Sequence, residues 1–194
     1  MKLKFQDLVF KNRSYRRFHQ DHAIELITLV ELVDLARHSA SSNNQQPLKF
    51  FLSADPETNA TIFPHTRWAG SLKDWDGPEE GERPSAYIVI LGDKNITDNF
   101  GVNHGIAAQS ILLGATEKGL GGCMIGSVQR VVLHRELDLA DHLHILLVIA
   151  LGKPKETVVI DPLPANGDVT YWRDENSVHH VPKRSLEELI VNPS

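Results

Sequence analysis

Three short apolar runs constrain this chain more than any other feature. LKFFLSA (residues 48–54), AYIVILG (86–92) and HILLVIALG (144–152) are rich in β-branched, leucine and aromatic residues and are bounded by Asp, Gly or Pro, the pattern of buried strands. Between the second and third lies GIAAQSILLGATEKGLGG (residues 105–122). Its small residues Gly105, Ala108, Gly114 and Ala115 fall on one helical face, and Gly119 is placed to end the helix. Upstream, DHAIELITLVELVDLARHSA (residues 21–40) opens on Asp21 as a helix cap. It carries Ile24, Ile27, Val30, Val33, Leu35 and Ala36, a set expected to face the core. Helical and strand-like segments alternate without internal repeats, which predicts an α/β or α+β domain.

Composition bounds the function. A chain of 194 residues with 41% hydrophobic and 23% charged content suits one ordinary globular domain. No stretch reaches the roughly 18–20 continuous apolar residues of a membrane span, and MKLKFQDLVF lacks the long apolar run of a signal peptide; a cytoplasmic protein without membrane attachment is expected. The single cysteine, Cys123, has no partner for a disulfide or a zinc framework and is expected to be a buried structural residue. The pairs His142/His144 and His179/His180 lack a carboxylate or third ligand at metal spacing, so no metal site is expected. A formal net charge of −5 without a basic half argues against nucleic acid as a partner.

Against that acidic background, KNRSYRRF (residues 11–18) gathers four cationic side chains around Ser14 and Tyr15. A cluster this local suits a small anion; Lys11 and Arg17 also fit a solvated face. SASSNNQQPLKF (residues 39–50) places two Asn and two Gln in the link between the long helix and the first strand. Those amides either match the alternating donor and acceptor edge of a pyrimidine-like ring or form an ordinary turn. GLGGCMIGS (residues 119–127) would let backbone approach a ligand. It lacks the dinucleotide fingerprint, because Met124 stands where the last glycine belongs. TRWAGSLKDWDGPEEGERP (residues 66–84) sets Trp68 and Trp75 among charges and turn formers, as a solvated loop or as a wall for a planar acceptor, with packing in the core as the rival reading of the two tryptophans. HHVPKRSLEELI (residues 179–190) adds a second basic pair, Lys183 and Arg184.

The order of these pieces, basic-Ser-x-basic, Asn-x-Gln-Pro, Gly-Leu-Gly and a final Pro-Lys-Arg, resembles the nitroreductase family over nearly the whole chain. The resemblance implies an α+β fold with a central, mostly antiparallel sheet flanked by helices. It further implies one domain over residues 1–194, with an insertion at about 64–84 and a C-terminal arm at about 155–194. It implies a homodimer with two FMN sites at the interface, and NADH or NADPH as electron donor. Carried over residue by residue, it assigns Arg13, Ser14, Lys183 and Arg184 to the FMN phosphate. Arg16 goes to the ribityl chain and pyrimidine end as a charge that tunes the flavin. Ser41, Asn44 and Gln46 line the flavin, and Gly126 and Ser127 offer backbone near its reactive N5. No side chain is assigned a covalent role, since hydride transfer belongs to the cofactor. Three positions depart from the family pattern: Asn12 for a second basic residue, Leu48 for a Trp and Asn103 for an Asp.

The function expected from the resemblance is hydride transfer from NAD(P)H through flavin to a small oxidised acceptor such as a nitroaromatic or quinone. The alternatives are a specialised relative acting on a halogenated aromatic or on flavin itself, and an FMN-binding module with little turnover.

Overall fold

The computed structural model of the protein describes residues 4–192. In chain order the elements are α1 (Phe5–Lys11), β1 (Phe18–His19), α2 (Leu26–Arg37), β2 (Leu48–Ser53), α3 (Pro56–Ile62), β3 (Ala86–Asp93) and α4 (Asn103–Glu117). There follow β4 (Gly121–Ile125), α5 (Arg130–Glu136), β5 (Leu143–Pro154), β6 (Val158–Pro162), β7 (Trp172–Arg173), β8 (His179–Lys183) and α6 (Leu186–Leu189).

The three apolar runs are β2, β3 and β5, as their composition predicts. With β1 and β4 they form a five-stranded sheet whose pairings are all antiparallel. The long β5 organises it, pairing with β3 and also with β4 and β1. Alternation along β3 sends Ala86, Ile88 and Ile90 to one core and Tyr87, Val89 and Leu91 to the other. The first core packs these against Leu29, Leu32 and Ala36 of α2 and Ala108, Ile111 and Ala115 of α4. The second joins Phe18, Ile62, Trp68 and Leu133 to Val148 and Ala150 of β5. A sheet buried on both faces by helices and loops is the α+β arrangement expected.

Gly119 ends α4 with φ near 73°, while Leu120 N–H donates to Ala115 O at 2.9 Å and Gly119 N–H to Thr116 O at 3.0 Å, a left-handed C-terminal cap that a side chain would strain. The small face of α4 is also real at Gly114, where an added Cβ would stand 2.3 Å from Leu35 Cδ1 of α2. Gly105 does not share it and is exposed.

Several expectations change. α2 starts at Leu26 behind Glu25 rather than after Asp21. It buries Leu29, Leu32 and Ala36 and leaves Ile27, Val30 and Leu35 exposed. A constant three-residue spacing drifts around a helix of 3.6 residues per turn, so the set read from Ile24 onward cannot stay on one face. GLGG is not an open glycine turn: Gly121 and Gly122 lie in β4, where a Cβ on Gly122 would meet Ala150 O at 2.5 Å. Trp68 is 8% exposed and packs in the second core, near Phe63, rather than bordering a site as an exposed wall. The tail carries its own small sheet, β6 and β7 on either side of β8. No helix among the described residues is long and apolar enough to cross a membrane.

Candidate functional site

After α1 the chain runs extended alongside β4, with Ser14 bridged to Gly122 and Tyr15 N–H donating to Gly122 O at 3.0 Å. The buried Glu156, just past β5, fixes this segment. Its carboxylate accepts the backbone N–H groups of Arg16 and Arg17 and pairs with Arg173 Nη2 at 3.0 Å. A carboxylate buried without such donors would be costly. Arg17 is not on a solvated face: it forks onto Glu82, with Nη2 to Oε1 at 2.7 Å, and Lys155 joins the same carboxylate at 2.9 Å. The Arg17 hydrogen bond leads the causes that hold Glu82 at about 2.

With Arg17 turned away, Arg13, Ser14, Arg16 and Lys183 meet in a cleft of about 340 Å³, walled by Gln109, Tyr171 and His179 among others. It has three permanent cations and, among the described residues that line it, no carboxylate. In a chain of net charge −5, that focuses positive potential on one place. Arg13 Nη2 donates to Val9 O at 2.8 Å, and its Nε is buried without a partner among the described residues. The Arg16 guanidinium lies 4.8 Å over the Tyr171 ring, with Nη1 3.2 Å from His179 Nε2. Burial first, then the charges of Arg16 and Arg173, push the His179 imidazole down to about 4. It is neutral at pH 7 and accepts from Arg16 through Nε2, which leaves its proton on Nδ1.

The other expected residues stand elsewhere on the chain. Ser41 and Gln46 line a separate cleft with Leu48 and Asn103, and Asn44 is exposed in the intervening turn. Asn43, Asn44 and Gln46 all have φ near 50°, an uncommon conformation held here by side chains. Asn103 Oδ1 accepts from Ser42 N–H and Ser41 Oγ from Gln46 N–H, each at 3.0 Å. Gly126 and Ser127 are exposed just after β4, with Gly126 O accepting from Arg130 and Ser127 O from Arg67 N–H. Arg184 points away from the cationic cleft and pairs with Glu188 at 2.8 Å.

The model of the nitroreductase family matches residues 9–153. This chain belongs to the nitroreductase family. Similar solved structures include a nitroreductase family protein from Streptococcus pneumoniae TIGR4, at 17% identity over 84% of this chain and 97% of that one, TM-score 0.68. An NADPH:FMN oxidoreductase from Vibrio harveyi, complexed with NAD+, matches at 23% identity over 84% and 74%, TM-score 0.64. An Exiguobacterium sibiricum protein assigned as a nitroreductase, in complex with FMN, matches at 17% over 79% and 89%, TM-score 0.65. Such distant likenesses show the fold.

Within this nitroreductase-family chain, four residues of the cleft and its support carried no signal in the sequence. Gln109 sits mid-helix, and Tyr171 in a stretch without period. Glu156 is one acid among many, and His179 reads in the sequence only as half of a histidine pair. Its neighbour His180 pairs with two carboxylates, Asp161 at 2.7 Å and Asp174 at 3.5 Å, yet no group of three such side chains placed to hold a metal occurs among the described residues. The hydrogen bond that the His180 ring donates to Asp161 leads the causes that raise His180 above its ordinary value.

Proposed function

We propose that the protein is an FMN-dependent oxidoreductase that moves a hydride from NADH or NADPH to a small oxidised acceptor of the nitroaromatic or quinone class. The observation that carries the reading is the carboxylate-free cleft of Arg13, Ser14, Arg16 and Lys183. A phosphate monoester near −2 is best held by several charge-assisted donors, and Arg13, Arg16 and Lys183 line one cleft together with Ser14. Lys183, at the end of β8, supplies the tail's charge, while Arg184 is committed to Glu188. Bound FMN supplies the redox chemistry: acceptance of hydride from a nicotinamide and delivery of two electrons to the acceptor.

The chain's own residues bind and orient. Arg16, braced by His179 and Tyr171, is the charge we assign to the anionic end of the reduced ring. Ser41, Asn44 and Gln46 stand away from the cationic cleft, so their contact with the same flavin is assigned to a second copy of the chain. The exposed apolar residues of α1 and α2, Phe5, Phe10, Leu26, Ile27 and Val30, are consistent with a homodimer. The test is direct: the purified protein should carry a flavin spectrum that bleaches anaerobically with NADH or NADPH and returns on adding a nitroaromatic or a quinone. Protein that binds no flavin after reconstitution would end the reading.

A further inference from the structure

We propose that His180 is a positioning residue of the cationic cleft: its protonated ring clamps β6 and β7 onto β8 from behind the cleft wall and so holds Tyr171 and Lys183 in place. Alternation along β8 sends His179, Val181 and Lys183 into the cleft lining, which leaves His180 on the opposite face of the strand. There its ring reaches both neighbouring strands. Nδ1 donates to Asp161 Oδ2 of β6 at 2.7 Å, and Nε2 stands 3.5 Å from Asp174 Oδ2, just past β7. Trp172 of β7, directly across the ladder from His180, stacks on it at 4.1 Å with 8° between the planes. Tyr171, the residue before it, lies over Arg16 in the cleft.

β7 has two residues and β8 five, a short ladder for holding the tail sheet together. Side chains must add to it, and the His180 ring touches groups from all three strands. A neutral imidazole carries one N–H, so it serves one carboxylate and turns a lone pair towards the other. The imidazolium donates to both sides and offsets two negative charges. In keeping with this geometry, the Asp161 hydrogen bond, with Asp174 adding to it, raises the ring above its ordinary 6.5. The Val178 N–H holds Asp174 below the usual carboxylate range, so that partner stays ionised. The other charged groups of β7 and β8 near the ring are engaged elsewhere: Arg173 with Glu156 and Trp75, and His179 with Arg16. A value raised by folding gives a contribution that is complete below about 6.5 and is lost as pH rises through the folded value. The clamp therefore loosens on the alkaline side.

The functional consequence rests on the reading of this cleft as the phosphate site, and the experiment separates the two. From pH 7 to 9 the FMN phosphate is largely dianionic, its second ionisation lying at about 6. His179, held at about 4, is already neutral there, and arginine and lysine keep their charge. Across that range the affinity of the parent protein for FMN should fall about fivefold, with the midpoint of the His180 ring signal in carbon-13 histidine spectra. His180→Gln should bind at the weaker level with a flat profile. His180→Arg, whose permanent planar charge can stack on Trp172 and donate to both acids, should bind at the tighter level up to pH 9. Deuterium exchange of the apoprotein reads the clamp without flavin. The reporters are the amides of Leu163 and Asp174, which donate to Lys183 O at 2.9 Å and to Val178 O at 3.1 Å. Their protection should drop with the same midpoint in the parent, be low throughout in His180→Gln and stay high in His180→Arg. Equal protection in the two variants, or parent protection and affinity that hold steady while the His180 ring titrates, would overturn the proposal. Protein that binds no flavin yet shows the exchange pattern would end the flavin reading and support the clamp.

Discussion

At the scale of single residues, the segment that looked uniformly basic divides into three fates. Arg13 and Arg16 enter the cleft, Arg17 is consumed by Glu82, and Lys11 is exposed. Arg13→Ala or Ser14→Ala should therefore weaken FMN binding by about tenfold or more, the size of one charge-assisted contact. Arg17→Ala should leave it unchanged and lower the melting temperature instead. Titration of apoprotein with FMN alongside thermal melts checks both halves. Arg16→Gln should slow anaerobic bleaching by NAD(P)H about tenfold while re-oxidation by acceptor does not slow, since it removes the charge we assign to the reduced ring. Stopped-flow traces of the two half-reactions read this directly. The family resemblance separates Arg16 from Arg17, but the ion pair that takes Arg17 off a solvated face is not legible in the sequence. What holds the Arg17 side chain is Glu82, an acid 65 positions away that only the fold brings near.

At the scale of elements, legibility followed the range of the forces involved. The strands were readable because composition alone makes them buried, and the end of α4 was readable because Gly119 satisfies a local backbone requirement. The buried face of α2 was not readable, because eight of its twelve residues are apolar or small and only contact with α4 selects among them. The glycines of β4 were misread for a similar reason. A glycine demanded by a neighbouring strand's carbonyl looks the same in sequence as one left open for a ligand. Gly122→Ala should cost about 1–3 kcal/mol through its clash with Ala150 O, whereas Gly126→Ala, with nothing within 4 Å of its added methyl, should be near neutral. Chemical denaturation of both variants checks the contrast. Trp68→Leu, a core change, should likewise cost stability while leaving the relative Michaelis constants of different acceptors in proportion.

At the scale of the whole molecule, the segment of the cleft is held by ionisable clamps, and acid should release them in order. The unfolded imidazole takes its proton near pH 6.5 and that of folded His179 only near 4. The unfolded chain thus binds more protons across that window, and stability falls as pH drops through it. Glu82 acts lower: its contribution is complete above 4.5 and disappears as pH falls towards 2. Glu82→Gln should be less stable than the parent at pH 7, with the gap closing on the acid side; melting curves across pH 3 to 7 would show it. The family's order of motifs made the global fold legible, yet the candidate site came out in two parts on one chain. Ser41 and Gln46 line one cleft and Arg13, Ser14, Arg16 and Lys183 another, a division that the second copy we propose would bridge.

The central claim is that the carboxylate-free cleft holds the phosphate of FMN, and comparing FMN with riboflavin isolates that phosphate. Apoprotein should bind FMN about a hundredfold more tightly than riboflavin, as two charge-assisted contacts require. Arg13→Ala and Lys183→Ala should each narrow the gap while leaving the affinity for riboflavin unchanged. Equal affinities for the two flavins in the parent protein, or a gap that survives both substitutions, would contradict the account.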